Sequence, residues 1–152
     1  MSVQRIRATA LCIFHRGNEI LVFEGYDPAD DETFYRPLGG GIDFGERARD
    51  AVAREIREEL GAEITHVQQL SVLENIFECD GLPGHQIMFI FAAEFADRSR
   101  YGQDSMPAVE RGIGPNAPTD QFEAIWLDLS RVESGEKILY PEGLSDLIMG
   151  RG

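Results

Sequence analysis

The sequence has no long apolar run, only two cysteines and few basic residues. The apolar stretch near its start, Ala8 to Phe14, is far shorter than the about 20 residues of a membrane-spanning helix, so we expect no membrane partner. Cys12 and Cys79 lie inside apolar runs, a setting typical of buried free thiols in a reducing compartment rather than of a disulfide. We therefore expect a cytoplasmic protein.

Basic residues are outnumbered by acidic ones, with 14 Lys and Arg against 27 Asp and Glu and a formal net charge of −13 at pH 7. Binding of duplex nucleic acid draws on a cationic surplus that neutralises phosphates, so we expect no duplex nucleic acid partner. A length of 152 residues that are 43% hydrophobic predicts a single domain, residues 1–152, with a sizeable core. The sequence is compatible with a monomer and with a homodimer.

Five segments have the patterns of β-strands: Arg7 to Phe14, Glu19 to Tyr26, Ile64 to Cys79, His85 to Phe95 and Phe122 to Leu129. The pair Gly17-Asn18 between the first two segments is a turn signal and predicts a hairpin there. The strand from His85 is apolar on both faces, as expected in the middle of a covered sheet. By contrast, residues 97–120 show no periodicity and predict a long loop, either a functional lid or a disordered segment.

The clearest helix is predicted over Arg47 to Leu60, where apolar residues recur every fourth position and Gly61 supplies a stop signal. Its start is poorly capped, because Ser, Thr or Asp is missing where the helix begins. On a helical wheel at 100° per residue, Glu55 and Glu59 fall inside the apolar stripe and Glu58 lies at its edge.

This glutamate cluster has two interpretations. An acidic solvated face, paired with Arg54 and Arg57, is the ordinary one. Carboxylates that point toward the protein body, however, need bound cations or buried partners to offset desolvation. Hard oxygen ligands at this density suit Mg²⁺ or Mn²⁺, with water in the remaining coordination positions.

The residues before the helix complete a longer pattern. Three glycines, Gly39 to Gly41, allow the backbone to approach a ligand closely. From Gly40 the chain runs five residues to Glu46 and seven more to the sequence Arg54-Glu55-Ile56-Arg57-Glu58-Glu59-Leu60-Gly61. This spacing resembles the sequence box of the Nudix hydrolase family at every charged and glycine position. The departure is Ala62, where the box ends on a larger aliphatic residue.

The resemblance implies an α/β fold, a Nudix-type α/β/α sandwich around a mixed β-sheet. It also implies a divalent-metal-dependent pyrophosphohydrolase that cleaves a small nucleotide-type diphosphate, a nucleoside diphosphate linked to another moiety. Carried over by position, the metal ligands would be Glu55, Glu58, Glu59 and the Gly39 carbonyl. Glu55 or Glu58 would be the catalytic base. The remaining box residues would hold the structure together: Gly40, Glu46, Arg54 and Gly61.

Substrate contacts are less constrained by the pattern. Arg36, just ahead of the glycines, is a candidate phosphate ligand. Other candidates each have an ordinary structural explanation as well: Arg100 and Arg111 for phosphate, Phe34, Tyr35, Phe77 and Tyr101 for base stacking, His85 as a proton shuttle or ligand, and Asp120 and Glu123 as an added carboxylate.

Two alternatives to the leading hypothesis remain. A non-catalytic Nudix-fold module that binds a nucleotide or acts in regulation would keep the fold without turnover. A hydrolase of capped RNA ends would keep the chemistry but change the substrate, and the acidic balance argues against long RNA contacts. The markers of ADP-ribose and dinucleoside polyphosphate hydrolases are missing after the box, where Phe77 to Asp80 stand instead.

Overall fold

A computed structural model describes residues 4–111 and 119–150, without the side chains of Arg111 and Thr119. In chain order its elements are β1 (Ile6–Ile13), β2 (His15–Arg16), β3 (Glu19–Asp27), β4 (Glu32–Gly41), α1 (Ala48–Leu60), β5 (Ile64–Cys79), β6 (Leu82–Phe95), a 3-10 helix (Arg98–Gly102), β7 (Ser105–Arg111), β8 (Thr119–Asp128), α2 (Leu129–Glu133), β9 (Ile138–Leu139) and α3 (Leu144–Ile148).

The strands form one mixed sheet in the order β5-β6-β1-β4-β3-β8-β7, with β2 paired to β3 and β9 to β4. Strand β1 runs parallel to β6 and antiparallel to β4. The expected mixed sheet is therefore confirmed.

Both faces of the central sheet are covered by helices. In β1, Ala10 and Cys12 pack into the core that contains the apolar face of α1, whereas Leu11 and Ile13 pack into the core that contains Leu129 of α2 and Leu144 of α3. Strand β6 is divided in the same way, as its two apolar faces predict. The architecture is the expected α/β/α sandwich.

Strand β4 changes its neighbour partway along its length. Residues up to Pro37 pair with β3, and residues from Leu38 onward pair with β1. Gly39 lies just after this change with φ of 143°, and a Cβ there would clash with the carbonyl oxygen of Ala10. The glycines that sequence analysis placed ahead of the helix thus form the end of a strand that is packed tightly against β1.

Helix α1 begins and ends as its sequence predicts. Arg47 stands at the N-cap and its side chain makes no capping hydrogen bond, while Gly61 adopts a left-handed conformation with φ of 67° and donates its N–H to the Arg57 carbonyl. Arg100 donates hydrogen bonds to the carbonyls of Leu60 and Gly61. This arginine therefore caps α1, a structural role.

Two sequence predictions need correction. The Gly17-Asn18 turn joins β2 to β3 in a short hairpin, but β1 pairs with β4 and β6 instead of with β3. Residues 97–120 are no continuous loop, because they contain the 3-10 helix, β7 and the start of β8; residues 112–118 of that segment lie outside the described part. Within that part, no helix is both long and apolar enough to cross a membrane.

Candidate active site

The site begins with Arg54, whose guanidinium joins α1 to the segment before it. Arg54 donates two hydrogen bonds to the Glu46 carboxylate, at 2.8 and 2.9 Å, and one to the Gly41 carbonyl at 2.9 Å. The hydrogen bonds and charge of Arg54 lower the pKa of Glu46. These contacts connect the end of β4 and the segment after it to the helix.

The same guanidinium also reaches two of the predicted metal ligands. Its Nη1 donates to Glu55 Oε1 at 3.0 Å and to Glu58 Oε2 at 3.2 Å. Glu58 is the more exposed of the two, with a side chain that is 40% accessible against 17% for Glu55. The helical-wheel placement of the cluster is therefore confirmed.

Glu59 is the most buried member of the cluster, with 8% of its surface exposed. Its Oε1 accepts a hydrogen bond from the Gly39 N–H at 3.0 Å. Burial, reinforced by the nearby charge of Glu55, raises the pKa of Glu59 to about 9, and burial also raises the pKa of Glu55. A bound cation would relieve both penalties.

The glycine backbone leaves room for these carboxylates. A Cβ on Gly40 would lie 2.5 Å from Glu55 Oε2, closer than van der Waals contact permits. A side chain at position 40 would therefore displace the Glu55 carboxylate from the position that it occupies here.

The three glutamates line a cavity of about 400 Å³ between the end of β4, α1, β1, β6 and β7. Arg36 lies in this cavity, and its Nη2 donates to Glu110 Oε1 at 2.7 Å. A second cavity of about 360 Å³ adjoins it at Glu59 and is lined by Glu123 and Phe122 of β8. The predicted phosphate ligand and the predicted metal ligands are thus brought to one place.

Several further candidates lie elsewhere. Neither cavity is lined by any of the proposed stacking aromatics or by His85. Tyr35 is buried in the core, and Tyr101 packs beside Trp126. Among described atoms, the buried Nε2 of His85 has no hydrogen-bond partner. Asp120 is exposed opposite Glu110, and the side chain of Arg111 lies outside the described residues.

Three charged residues of the cavity were not predicted from the sequence: Arg7 on β1, Asp43 between β4 and α1, and Glu110 on β7. Glu110 falls in the segment taken for a loop, so its alignment with the site depended on an unpredicted strand. Arg7 stands at the start of a predicted strand, and no local pattern marks it.

The family model of the NUDIX domain matches residues 4–142. The chain therefore belongs to the Nudix family, whose hydrolases generally use divalent metal ions and act on nucleotide-linked substrates.

Named relatives agree with this assignment. The chain is 34% identical over 95 residues to a Pseudomonas putida protein named NAD-capped RNA hydrolase NudC, a match that covers 62% of this chain and 32% of that protein. It spans about a third of the length of the curated relatives it matches.

Two solved structures show the same fold. A NUDIX hydrolase from Nitrosomonas europaea gives a TM-score of 0.62 at 14% identity, covering 95% of this chain and 87% of that one. A MutT NUDIX hydrolase from Burkholderia pseudomallei gives 0.59 at 20% identity, covering 97% and 98%.

Proposed function

We propose that this chain is a divalent-metal-dependent hydrolase that cleaves a pyrophosphate bond in a nucleoside diphosphate linked to another moiety. The observation that carries the proposal is the convergence of Glu55 and Glu59 with Arg36 in a single cavity. Buried carboxylates that lie close to one another favour a metal ion, and an arginine in the same cavity favours a phosphate. The family's spacing and this geometry support the same chemistry.

The residues present fit a divalent cation by their chemistry. We assign Glu55, Glu58, Glu59 and the Gly39 carbonyl as its ligands, and Mg²⁺ as the ion, with Mn²⁺ as a substitute. Within residues 4–111 and 119–150, no three acidic, histidine or cysteine side chains converge on a metal position as they stand. Glu55 and Glu58 are instead held by Arg54, so their carboxylates must turn from the guanidinium to bind the ion.

A cation bound there would polarise the phosphoryl oxygens and offset the charge that develops on them. The protein's own groups supply the rest. Arg36 binds a phosphate oxygen once it leaves Glu110, and Glu55 or Glu58 accepts the proton of the attacking water. In the metal-free protein, Arg54 keeps both candidate bases on one side of the cavity through its hydrogen bonds to them.

We further propose that residues 1–152 form one Nudix domain that works in the cytoplasm. The continuous sheet, which connects β5 at one edge to β7 at the other, supports a single domain. Both cysteines are free, which agrees with a reducing compartment.

Capped RNA is a second candidate substrate, and the similarity to the proteins named NAD-capped RNA hydrolase favours it. The net charge of −13 opposes extended contacts with an RNA backbone. We therefore rank a small nucleotide-type diphosphate first and expect no duplex nucleic acid partner.

The test is a substrate panel with Mg²⁺ or Mn²⁺ for wild type, Glu58→Gln and Glu59→Gln. The panel contains nucleoside triphosphates, including oxidised ones, ADP-ribose, dinucleoside polyphosphates, NADH, sugar nucleotides and NAD-capped RNA. We expect turnover of at least one compound by wild type and a loss of at least roughly 100-fold in each variant.

Glu63→Gln is the matched control, because Glu63 is exposed and pairs with Arg57 outside the cavity. It should retain wild-type turnover. Unchanged activity in both Glu58→Gln and Glu59→Gln would remove the metal-ligand assignment. Tight nucleotide binding without turnover of any compound would favour the non-catalytic module.

A further inference from the structure

Three arginines line the main cavity, and they differ in what they contact. Arg54 is held by Glu46, Glu55 and Glu58, and Arg36 is paired with Glu110. Arg7 also lines the cavity, yet in the described part of the chain no hydrogen bond or ion pair involves its guanidinium. Residues 1–3, 112–118 and 151–152 contain no Asp or Glu. Arg7 thus forms no ion pair with a described carboxylate, although its positive charge partly offsets the rise in the pKa of Glu55.

Arg7 is exposed, and its guanidinium lies against the backbone at the end of β4. It lies on β1 beside Gln86 of β6, and its Nη2 is 2.8 Å from the point where a Cβ on Gly41 would stand. The bare backbone of Gly41 therefore makes room for the guanidinium next to the glutamates. An arginine whose guanidinium makes no hydrogen bond or ion pair with the described residues is available for an anion.

Arg7 and Arg36 enter the cavity at separate points. Arg36 contacts Glu110 on β7, whereas Arg7 lies against Gly41. Along β4, the five residue steps from Arg36 to Gly41 span about 16 Å of extended chain. The charge of Arg7 acts on Glu55 and that of Arg36 acts on Glu59. Under the proposed function, the scissile bond lies at these glutamates, with one arginine near each of them.

The neighbours of Arg7 also indicate a polar ligand. Thr9, two residues further along β1, is 3% exposed, and its hydroxyl has no hydrogen-bond partner among the described atoms. The described residues that line this cavity include no aromatic side chain, so this wall offers no surface for base stacking. It is suited to an anionic group rather than to a nucleobase.

We propose that Arg7 is a second phosphate-binding residue and that the site selects substrates with three or more phosphates in a row, such as nucleoside triphosphates, over those with a neutral group beyond the diphosphate. This inference rests on the proposed function for the position of the scissile bond. Arg36 would bind one end of the phosphate chain and Arg7 the other. ADP-ribose carries a sugar where the third phosphate would lie, so Arg7 adds nothing to its binding affinity.

The test separates binding from turnover. Calorimetry with inorganic pyrophosphate and with inorganic tripolyphosphate, in the presence of Mg²⁺, measures how much the third phosphate adds to the binding affinity. Neither ligand carries a nucleobase. We expect Arg7→Ala to weaken tripolyphosphate binding roughly 10-fold or more, as for loss of a charged hydrogen bond, and to change pyrophosphate binding less than about twofold. Arg7→Lys should keep most of the tripolyphosphate affinity.

Arg5→Ala is the matched control, because it removes the same charge two residues earlier from an exposed position outside the cavity lining. It should leave both affinities unchanged. In steady-state kinetics, Arg7→Ala should raise KM for nucleoside triphosphates and leave KM for ADP-ribose unaltered. A general disturbance of the glutamates would instead lower kcat for every substrate.

The outcomes distinguish this inference from the proposed function. Absence of tripolyphosphate binding to wild type, or an equal effect of Arg7→Ala on both ligands, overturns the role of Arg7 while hydrolysis can stand. Selective loss of tripolyphosphate binding in a protein that hydrolyses no nucleotide supports Arg7 and overturns the proposed hydrolysis.

Discussion

Arg54 and Glu46 are joined by two parallel hydrogen bonds, Nε to Oε2 at 2.8 Å and Nη2 to Oε1 at 2.9 Å. Lysine cannot form this fork. We expect Arg54→Lys to lower the free energy of unfolding by about 1–3 kcal/mol and to reduce kcat, because Glu55 and Glu58 also lose their shared donor. Chemical denaturation and steady-state kinetics measure the two effects.

Arg57→Lys is the control for that prediction, because Arg57 is on the same helix but makes an exposed pair with Glu63. Its stability should stay within about 0.5 kcal/mol of wild type. Equal losses in the two variants would mean that the Arg54 fork has no special structural importance.

Gly40→Ala tests how closely the backbone must approach Glu55. The added methyl group would displace a flexible carboxylate rather than backbone, so we expect the fold to persist while kcat/KM falls roughly 100-fold. Gly102→Ala adds a methyl group where no atom lies within 4 Å apart from the residue itself and its chain neighbours. It should change neither the fold nor kcat/KM. Wild-type activity in Gly40→Ala would refute the proposed position of Glu55 in the active enzyme.

The raised pKa of Glu59 predicts how the stability of the metal-free protein depends on pH. Folding raises this pKa from the ordinary value of 4.5 to about 9, so the folded state binds more protons than the unfolded state between these values. The free energy of unfolding should therefore decrease as the pH rises from about 4.5 to 9. Denaturation in EDTA at several pH values should show a shallower decrease for Glu59→Gln, whereas Glu63→Gln should keep the wild-type slope.

The weak N-cap of α1 offers a stabilising substitution. Arg47 has the extended backbone of an N-cap residue, with φ of −78° and ψ of 149°, but contributes no side-chain acceptor. Arg47→Ser should raise the free energy of unfolding by about 0.5–1 kcal/mol, and Arg47→Ala should give no such gain. Thermal unfolding of the two variants decides the point.

Much of the fold follows from local patterns in the sequence. Apolar residues at every fourth position from Ala48 to Leu60 locate α1 to within one residue. Because β6 is apolar on both of its faces, the sequence also predicts its place inside the sheet. The burial of Glu55 and Glu59 follows from the same helical spacing. These features depend on neighbours in the chain, which is why sequence analysis finds them.

Features that depend on distant pairing were missed. In β7, the side chains of Met106 and Ala108 are both buried in the core. Pro107 lies between them, and because proline is unusual in a strand, the sequence pattern did not indicate one. A proline is tolerated there because β7 lies at the sheet edge. Glu110 reaches Arg36 only through that strand, so the contact between the two residues could not be predicted from the chain alone.

The change of neighbours along β4 has a mechanical consequence. Arg36 belongs to the part of the strand bonded to β3, and Gly39, which holds Glu59, belongs to the part bonded to β1. The separation of Arg36, the proposed phosphate ligand, from the helix carboxylates thus depends on how β4 passes from one neighbour to the other between Pro37 and Leu38. Substitutions of core residues packed beneath Pro37 are therefore expected to change the distance between Arg36 and the helix carboxylates. They would do so without altering any residue proposed to contact the substrate.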